Sequence, residues 1–173
     1  MKKDILALLK GGDRRSIGQA DRVARMVSHD PKLFSDLMAG LWSEDSLVRM
    51  RAADAAEKVT RNNRKLLQPY KKELLGLMIE AQEKELRWHL AVMVPRMELT
   101  IKEGAGVMNV LSAYLGDKSS IVKTFALQGM ADLAAVEPSL QSRVIEILQE
   151  ASRNGSAAMK TRSRKLVLPY GRT

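Results

Sequence analysis

The sequence predicts an all-α fold made of repeated helix pairs, and three observations support this prediction. Segments in which an apolar residue is followed at once by a long basic one recur at spacings of 38, 36 and 37 residues, beginning at Val48, Leu86, Val122 and Met159. Apolar residues in and after these segments recur every three or four positions, which is the spacing of an amphipathic helix. Alternating β-branched runs, which would indicate strands, are absent from the sequence.

The second helix of each period carries the clearer apolar stripe. The stripes contain Val48, Ala52, Ala55, Ala56 and Val59, then Leu90, Met93, Val94 and Met97, then Val122, Ala126, Met130 and Leu133. Pro95 falls inside the second of these stripes. Because proline removes a backbone donor from a helix interior, we expect a bend in that helix.

The first helix of each period is predicted at residues 32–41, 70–81, 104–115 and 143–151. Short polar links follow at 43–46, 116–119 and 153–156, and they supply cap and turn residues. Such a pair cannot bury its apolar stripe alone, so neighbouring pairs must stack. We therefore predict one domain with approximate repeats at 1–30, 31–68, 69–101, 102–137 and 138–173.

Two stretches, 41–53 and 115–127, resemble HEAT repeats, in which a Leu is followed by an Asp, then by Val-Arg and then by small residues. The similarity covers nearly the whole chain, which is also similar to small bacterial HEAT proteins of unassigned activity. The resemblance implies an α-solenoid of about five stacked antiparallel helix pairs, with the second helices on its concave face. It also implies a scaffold that binds a partner, but it does not say which partner.

In HEAT repeats an Asp and an Arg form a ladder that joins neighbouring repeats. The basic positions of this ladder are Arg49, Arg87, Lys123 and Lys160, and six residues before them stand Ser43, Ala81, Asp117 and Asn154. One acidic partner is therefore present out of four. We expect the basic side chains to bridge repeats still, by bonding carbonyl groups at helix ends; the alternative is that they contact an anionic partner.

The predicted partner-binding residues are Trp88 and Val92, on outward positions of the second helices, and the residues that flank them. They are Trp88, Val92, Arg51, His89, Phe125 and Arg162. An exposed aromatic side chain near the centre of a groove is a common anchor for a binding partner. The alternative is that Trp88 packs against a neighbouring repeat.

The chain carries 29 Lys and Arg against 20 Asp and Glu, a net charge of +9, and two stretches, 58–72 and 152–173, contain no acidic residue. The predicted polyanion contacts in these stretches are Arg61, Arg64, Lys65, Lys71, Lys72, Arg164 and Lys165. Basic patches attract phosphate groups and acidic proteins, although most basic runs are merely solvated. Seven aromatic residues in the whole chain argue against a protein that stacks single-stranded bases.

Catalytic and metal-binding patterns are missing from the sequence. There is no cysteine, the two histidines (His29 and His89) are not followed by Glu, and no phosphate-binding glycine loop or nucleophile elbow is found. We therefore expect no enzyme, no cofactor and no metal. No apolar run approaches the roughly 18 residues that cross a bilayer, and no signal peptide is expected, so we expect a cytoplasmic protein.

The sequence favours a non-enzymatic scaffold that binds a protein or peptide on its concave face. The alternative is a basic module that binds nucleic acid or another polyanion through phosphate contacts. In either case we expect a monomer or a weak homodimer.

Overall fold

The structure is a computed structural model that describes residues 4–170. Over these residues it contains α-helices and short 3-10 turns and no β-strand, which confirms the predicted all-α class. The α-helices are α1 (Ala20–His29), α2 (Phe34–Ala39), α3 (Ser46–Asn62), α4 (Lys71–Glu80), α5 (Lys84–Met93), α6 (Ile101–Tyr114), α7 (Ser120–Val136), α8 (Gln141–Asn154) and α9 (Ala157–Val167).

The helix order follows the predicted pairing from residue 31 onward. The first helices predicted at 32–41, 70–81, 104–115 and 143–151 correspond to α2, α4, α6 and α8, and each is followed by a second helix. The first predicted repeat, 1–30, differs, because among its described residues the only α-helix is α1. The segment before α1 forms a 3-10 turn at Ala7–Leu9 and then a loop in which Gly11, Gly12 and Gly18 have positive φ angles, a conformation that stops a helix.

The polar links begin the second helices through side-chain caps, as their composition predicts. Asp45 Oδ1 accepts from the Leu47 N–H at 2.9 Å at the start of α3. Ser119 and Ser156 cap α7 and α9 in the same way. Each cap satisfies a backbone N–H that has no partner inside its helix.

Pro95 ends a helix and does not bend one. Helix α5 stops at Met93, and Pro95 lies in the 3-10 turn Val94–Arg96 that follows it. The helix has 10 residues, whereas its counterparts α3 and α7 each have 17. The predicted bend inside a longer helix was therefore wrong: the missing donor and fixed φ of proline end the α-helical hydrogen bonding here.

The chain divides into two compact units, with the division between Pro69 and Tyr70. In the first unit α3 packs against α1 and α2. Its buried face is rich in alanine (Ala52, Ala53, Ala55 and Ala56), so the helices that pack on it come close.

The second unit is organised around α7. Helix α7 packs against α5, α6, α8 and α9. The approach of α5 and α7 is very close at Gly129, where a Cβ atom would overlap the carbonyl oxygen of Ala91. Within residues 4–170, no helix is both long enough and apolar enough to cross a membrane.

Hydrogen bonds in the second unit join residues about one repeat apart. The Tyr114 hydroxyl donates to the Met78 carbonyl at 2.6 Å across 36 residues. Ser120 Oγ lies 2.7 Å from Ser156 Oγ, also across 36 residues. Since these separations are close to the period found in the sequence, equivalent positions of successive helix pairs contact each other in this unit.

Candidate functional site

The four predicted ladder residues occupy one equivalent position. Arg49, Arg87, Lys123 and Lys160 are each the fourth residue of a second helix, namely α3, α5, α7 and α9. Arg49 Nη1 donates to the carbonyl oxygens of Ser43 at 2.5 Å and Glu44 at 3.0 Å, in the turn that precedes its own helix. Both carbonyl groups belong to the same helix pair as Arg49, so these two contacts do not bridge repeats.

Arg87 joins two successive helix pairs. Its Nε donates to the Ala81 carbonyl at 2.7 Å, and its Nη1 lies 2.6 Å from Asp117 Oδ2 in the following pair. Its guanidinium carbon also lies 5.4 Å from the centre of the Tyr114 ring. Burial raises the pKa of Tyr114 to about 12, so its hydroxyl stays protonated and keeps its bond to Met78.

Arg51 is not on an exposed face, and its assignment as a partner contact was wrong. Its side chain is only 2% exposed and donates to the carbonyl oxygens of Leu9, Gly11, Asp13 and Ser16 at 2.5–3.1 Å. Four carbonyl acceptors replace the water that a guanidinium would otherwise bind. Arg51 therefore holds the loop that precedes α1.

Two further predicted partner contacts are buried, which corrects the expectation that they are exposed. Val92 is 5% exposed and His89 is 9% exposed, so both contribute to packing. Trp88 is half-buried, and its ring packs edge-on against His89 with centroids 5.5 Å apart. The more exposed tryptophan is Trp42, at 46%, which the sequence analysis did not select.

Phe125 and Arg162 are brought together, and both are half-buried. Arg162 lies on α9 with its guanidinium carbon 5.9 Å from the centre of the Phe125 ring on α7. Its Nη1 also donates to Gln128 Oε1, one turn along α7, at 2.8 Å. An arginine on an aromatic face is held both by the ring and by its hydrogen bond.

Asp132 extends this cluster and was not predicted as a site residue. Gln128 Nε2 donates to Asp132 Oδ1 at 2.8 Å. Burial raises the pKa of Asp132, while the Gln128 hydrogen bond and the charges of Arg96 and Arg162 oppose that rise. We call Phe125, Gln128, Asp132 and Arg162 the α7–α9 cluster. The sequence signal for Asp132 was its position four residues after Gln128, in a helix otherwise apolar after Thr124.

The predicted polyanion contacts fall into two groups. Arg61 forms a two-point ion pair with Glu57, with distances of 3.0 and 2.6 Å, and Lys71 Nζ lies 2.9 Å from Glu103 Oε2. These two cations already have acidic partners within the chain. The side chains of the remaining five, Arg64, Lys65, Lys72, Arg164 and Lys165, are exposed.

Within the described part of the chain, no group of three or more His, Asp or Glu side chains is arranged to hold a metal ion. Comparisons of this chain with protein-family models, with curated proteins and with solved structures found no match.

Proposed function

We propose that this chain is a non-enzymatic, cytoplasmic HEAT-like scaffold, monomeric or weakly dimeric, that binds a protein or peptide partner at the α7–α9 cluster. The observation that carries the proposal is the half-buried Phe125–Arg162 pair, whose guanidinium also bonds Gln128. The HEAT resemblance and the repeat-spaced hydrogen bonds in the second unit support the scaffold part of the proposal.

The composition of the cluster suits a protein partner. Aromatic and arginine side chains are enriched at the centres of protein interfaces and contribute a large share of the binding energy. Asp132 adds an acceptor beside these groups, and Gln128 has both its amide nitrogen and its amide oxygen in the cluster's hydrogen bonds. A partner could therefore contact a ring, a cation and a carboxylate on one small surface.

The cluster is also preorganised. Arg162 is restrained by the Phe125 ring and by Gln128, and Gln128 is restrained by Asp132. A partner that binds here loses less free energy to ordering side chains, because the long arginine side chain is already held. Preorganisation of this kind favours a binding role over a merely solvated surface.

The test is a comparison of affinities for a partner captured from lysate of the source organism and then purified. We expect Phe125→Ala and Arg162→Ala each to weaken its binding by about tenfold or more, which corresponds to about 1.4 kcal/mol. Ile79→Ala is the matched control, since Ile79 is 68% exposed and lies on α4, which contributes no residue to the cluster. The proposal would be refuted if the wild type and all three variants bound the partner with equal affinity.

A second candidate function, polyanion binding, is favoured by the composition of α9. This helix contains Lys160, Arg162, Arg164 and Lys165 and no acidic residue, and the side chains of Arg164 and Lys165 are exposed. Such binding should weaken by orders of magnitude between roughly 50 and 200 mM salt if several phosphates are contacted. A gel-shift series with duplex DNA and with RNA tests this, using an Arg164→Ala, Lys165→Ala double variant. Absence of a shift at low salt would reject this candidate.

A further inference from the structure

A surface cavity of about 500 Å³ lies in the second unit, where α8 and the start of α9 meet α7 and the end of α6. Its apolar lining comes from Leu115, Leu127, Ile147, Ala151 and Met159. The volume lies within the range of ordinary ligand sites. An apolar group that enters this cavity would leave water for contact with several aliphatic side chains, which is favourable.

The cavity and the α7–α9 cluster have no residue in common, although both involve α7 and α9: Met159 lines the cavity, and Arg162, three residues later on α9, belongs to the cluster. Leu127 lines the cavity, whereas Phe125 and Asp132 belong to the cluster. At 3.6 residues per turn, Leu127 is about 140° or more around the helix from either of them. Variants on α8, which lines the cavity but contributes no residue to the cluster, can therefore be made without touching the cluster.

The polar part of the lining is acidic. Glu146 and Glu150 lie one turn apart on α8, on the same side of Ile147, and both are exposed. Glu150 accepts from Asn154 Nδ2 at 2.6 Å, and the exposed Arg153 Nη2 lies 3.4 Å from its other oxygen. Among the described residues, no lysine or arginine lines the cavity. This is notable in a chain with a net charge of +9.

The combination of an apolar floor and an acidic rim selects one class of occupant. We propose that the cavity binds a basic segment of a protein partner, with a bulky apolar side chain in the cavity and flanking Lys or Arg side chains against Glu146 and Glu150. The acidic rim would favour cationic segments and repel acidic ones with the same apolar anchor. This inference goes beyond the α7–α9 cluster and does not depend on it.

The experiment uses the full chain and a defined probe. The probe is a synthetic, capped peptide with a Leu-Trp pair between two lysines on each side, and its binding is measured by isothermal titration calorimetry. The comparison peptide has glutamate in place of each lysine. We expect the lysine peptide to bind and the glutamate peptide to bind at least about tenfold more weakly, since both the lost attraction and the new repulsion act.

Two sets of variants locate the binding. A Glu146→Gln, Glu150→Gln double variant should lower the affinity for the lysine peptide by about threefold or more, because the ion pairs between the peptide lysines and these two carboxylates are lost. A Glu73→Gln, Glu80→Gln double variant on α4 has the same net charge and exposed positions away from the cavity, so it should bind as wild type does. Ala151→Phe should fill the cavity and abolish binding. Ile147→Lys should also abolish binding. Because Ile147 is half-buried, the fold accommodates a new side chain there more easily, so this variant serves if Ala151→Phe does not fold.

Three results would overturn the proposal. They are that the lysine peptide does not bind, that the two peptides bind with equal affinity, and that Ile147→Lys leaves the affinity for the lysine peptide unchanged. Sedimentation supplies a further check: if Ile147→Lys dissociates a dimer that the peptide does not disrupt, a second copy of this chain occupies the cavity and the proposed occupant is wrong.

Discussion

Arg87 and Asp117 lie thirty residues apart in the chain and form an ion pair of 2.6 Å between two successive helix pairs. Asp117 is the one acidic residue that the sequence places six positions before a basic ladder residue. The pair is largely buried, with side chains 23% and 9% exposed. It therefore joins the α4–α5 pair to the α6–α7 pair. Because the two side chains are largely buried, salt screens their attraction less than that of a surface ion pair.

We predict that Arg87→Met and Asp117→Asn each lower the free energy of unfolding by about 1–3 kcal/mol, because each leaves a partly buried charge without its partner. A double-mutant cycle in urea should give a favourable coupling of about 1 kcal/mol. The control is Arg153→Met, since Arg153 forms an exposed pair with Glu150 and should change stability by less than about 0.5 kcal/mol. If the two single substitutions changed the free energy of unfolding additively in the double variant, the assigned ion pair would be contradicted.

The same pair has a defined pH dependence. Burial pushes the pKa of Asp117 up, but the Ser119 N–H and the Arg87 guanidinium outweigh this and lower it overall. A lowered folded-state pKa means that the carboxylate stabilises the fold above its unfolded pKa of about 3.9 and loses this effect as the pH falls through the folded value. The stability difference between wild type and Asp117→Asn should therefore narrow below pH 4.

Gly129 and Gly106 form a matched pair for testing the packing of α7. A Cβ at Gly129 would overlap the Ala91 carbonyl, so Gly129→Ala must separate α5 from α7 and should destabilise the protein by about 2 kcal/mol or more. Gly106 lies on α6 with open space around it, so Gly106→Ala should stabilise by up to about 1 kcal/mol. Thermal melts of the two variants check this. A neutral Gly129→Ala would mean that the helices are farther apart.

Arg51 should control the order of the loop before α1. Arg51→Met removes four hydrogen bonds to carbonyl oxygens and should destabilise the protein by about 3 kcal/mol. It should also speed amide hydrogen exchange at residues 9–18 ahead of the rest of the first unit. Arg25→Met, at an exposed position on α1, is the control. Unchanged exchange in the loop would show that other contacts hold it.

Asp132 should act against stability at neutral pH. Because burial raises its pKa above the unfolded value, the folded state prefers the protonated form, and the charged form disfavours folding once the pH exceeds the folded pKa. Asp132→Asn keeps an acceptor for Gln128 and should raise the unfolding midpoint at pH 7, with the gain disappearing as the pH falls below about 3.9. Chemical denaturation at pH 3.5, 5 and 7 measures this. A less stable Asn variant at pH 7 would reverse the argument.

Much of the fold could be predicted because helix periodicity and capping are local signals. The links before α3, α7 and α9 contain a Ser or Asp at the cap, and the apolar stripes follow at spacings of three and four. The recurrence of Arg87 and Lys123 at one helix position also follows from spacing alone. These features depend on residues close together in the chain.

The candidate site was harder to predict because it depends on contacts between distant residues. Arg51 matches Phe125 in the repeat alignment, but a glycine-rich loop with positive φ angles folds over it and supplies carbonyl oxygens. The charge of Arg162 acts on Asp132 because α9 packs beside α7, and no local spacing predicts that packing. For Pro95, the sequence correctly indicated which helix the proline would disturb. It did not predict that this helix would end before the proline and not bend at it.

The most direct test of the central claim, that the α7–α9 cluster contacts a protein partner, is photocrosslinking in cells of the source organism. A photoreactive benzoyl-phenylalanine replaces Phe125 in one protein and the exposed Ile79 of α4 in a control. We predict an adduct from position 125 that a protease removes and a nuclease does not, and none from position 79. An adduct that a nuclease removes, equal adducts from both positions, or no adduct from position 125 would contradict the claim.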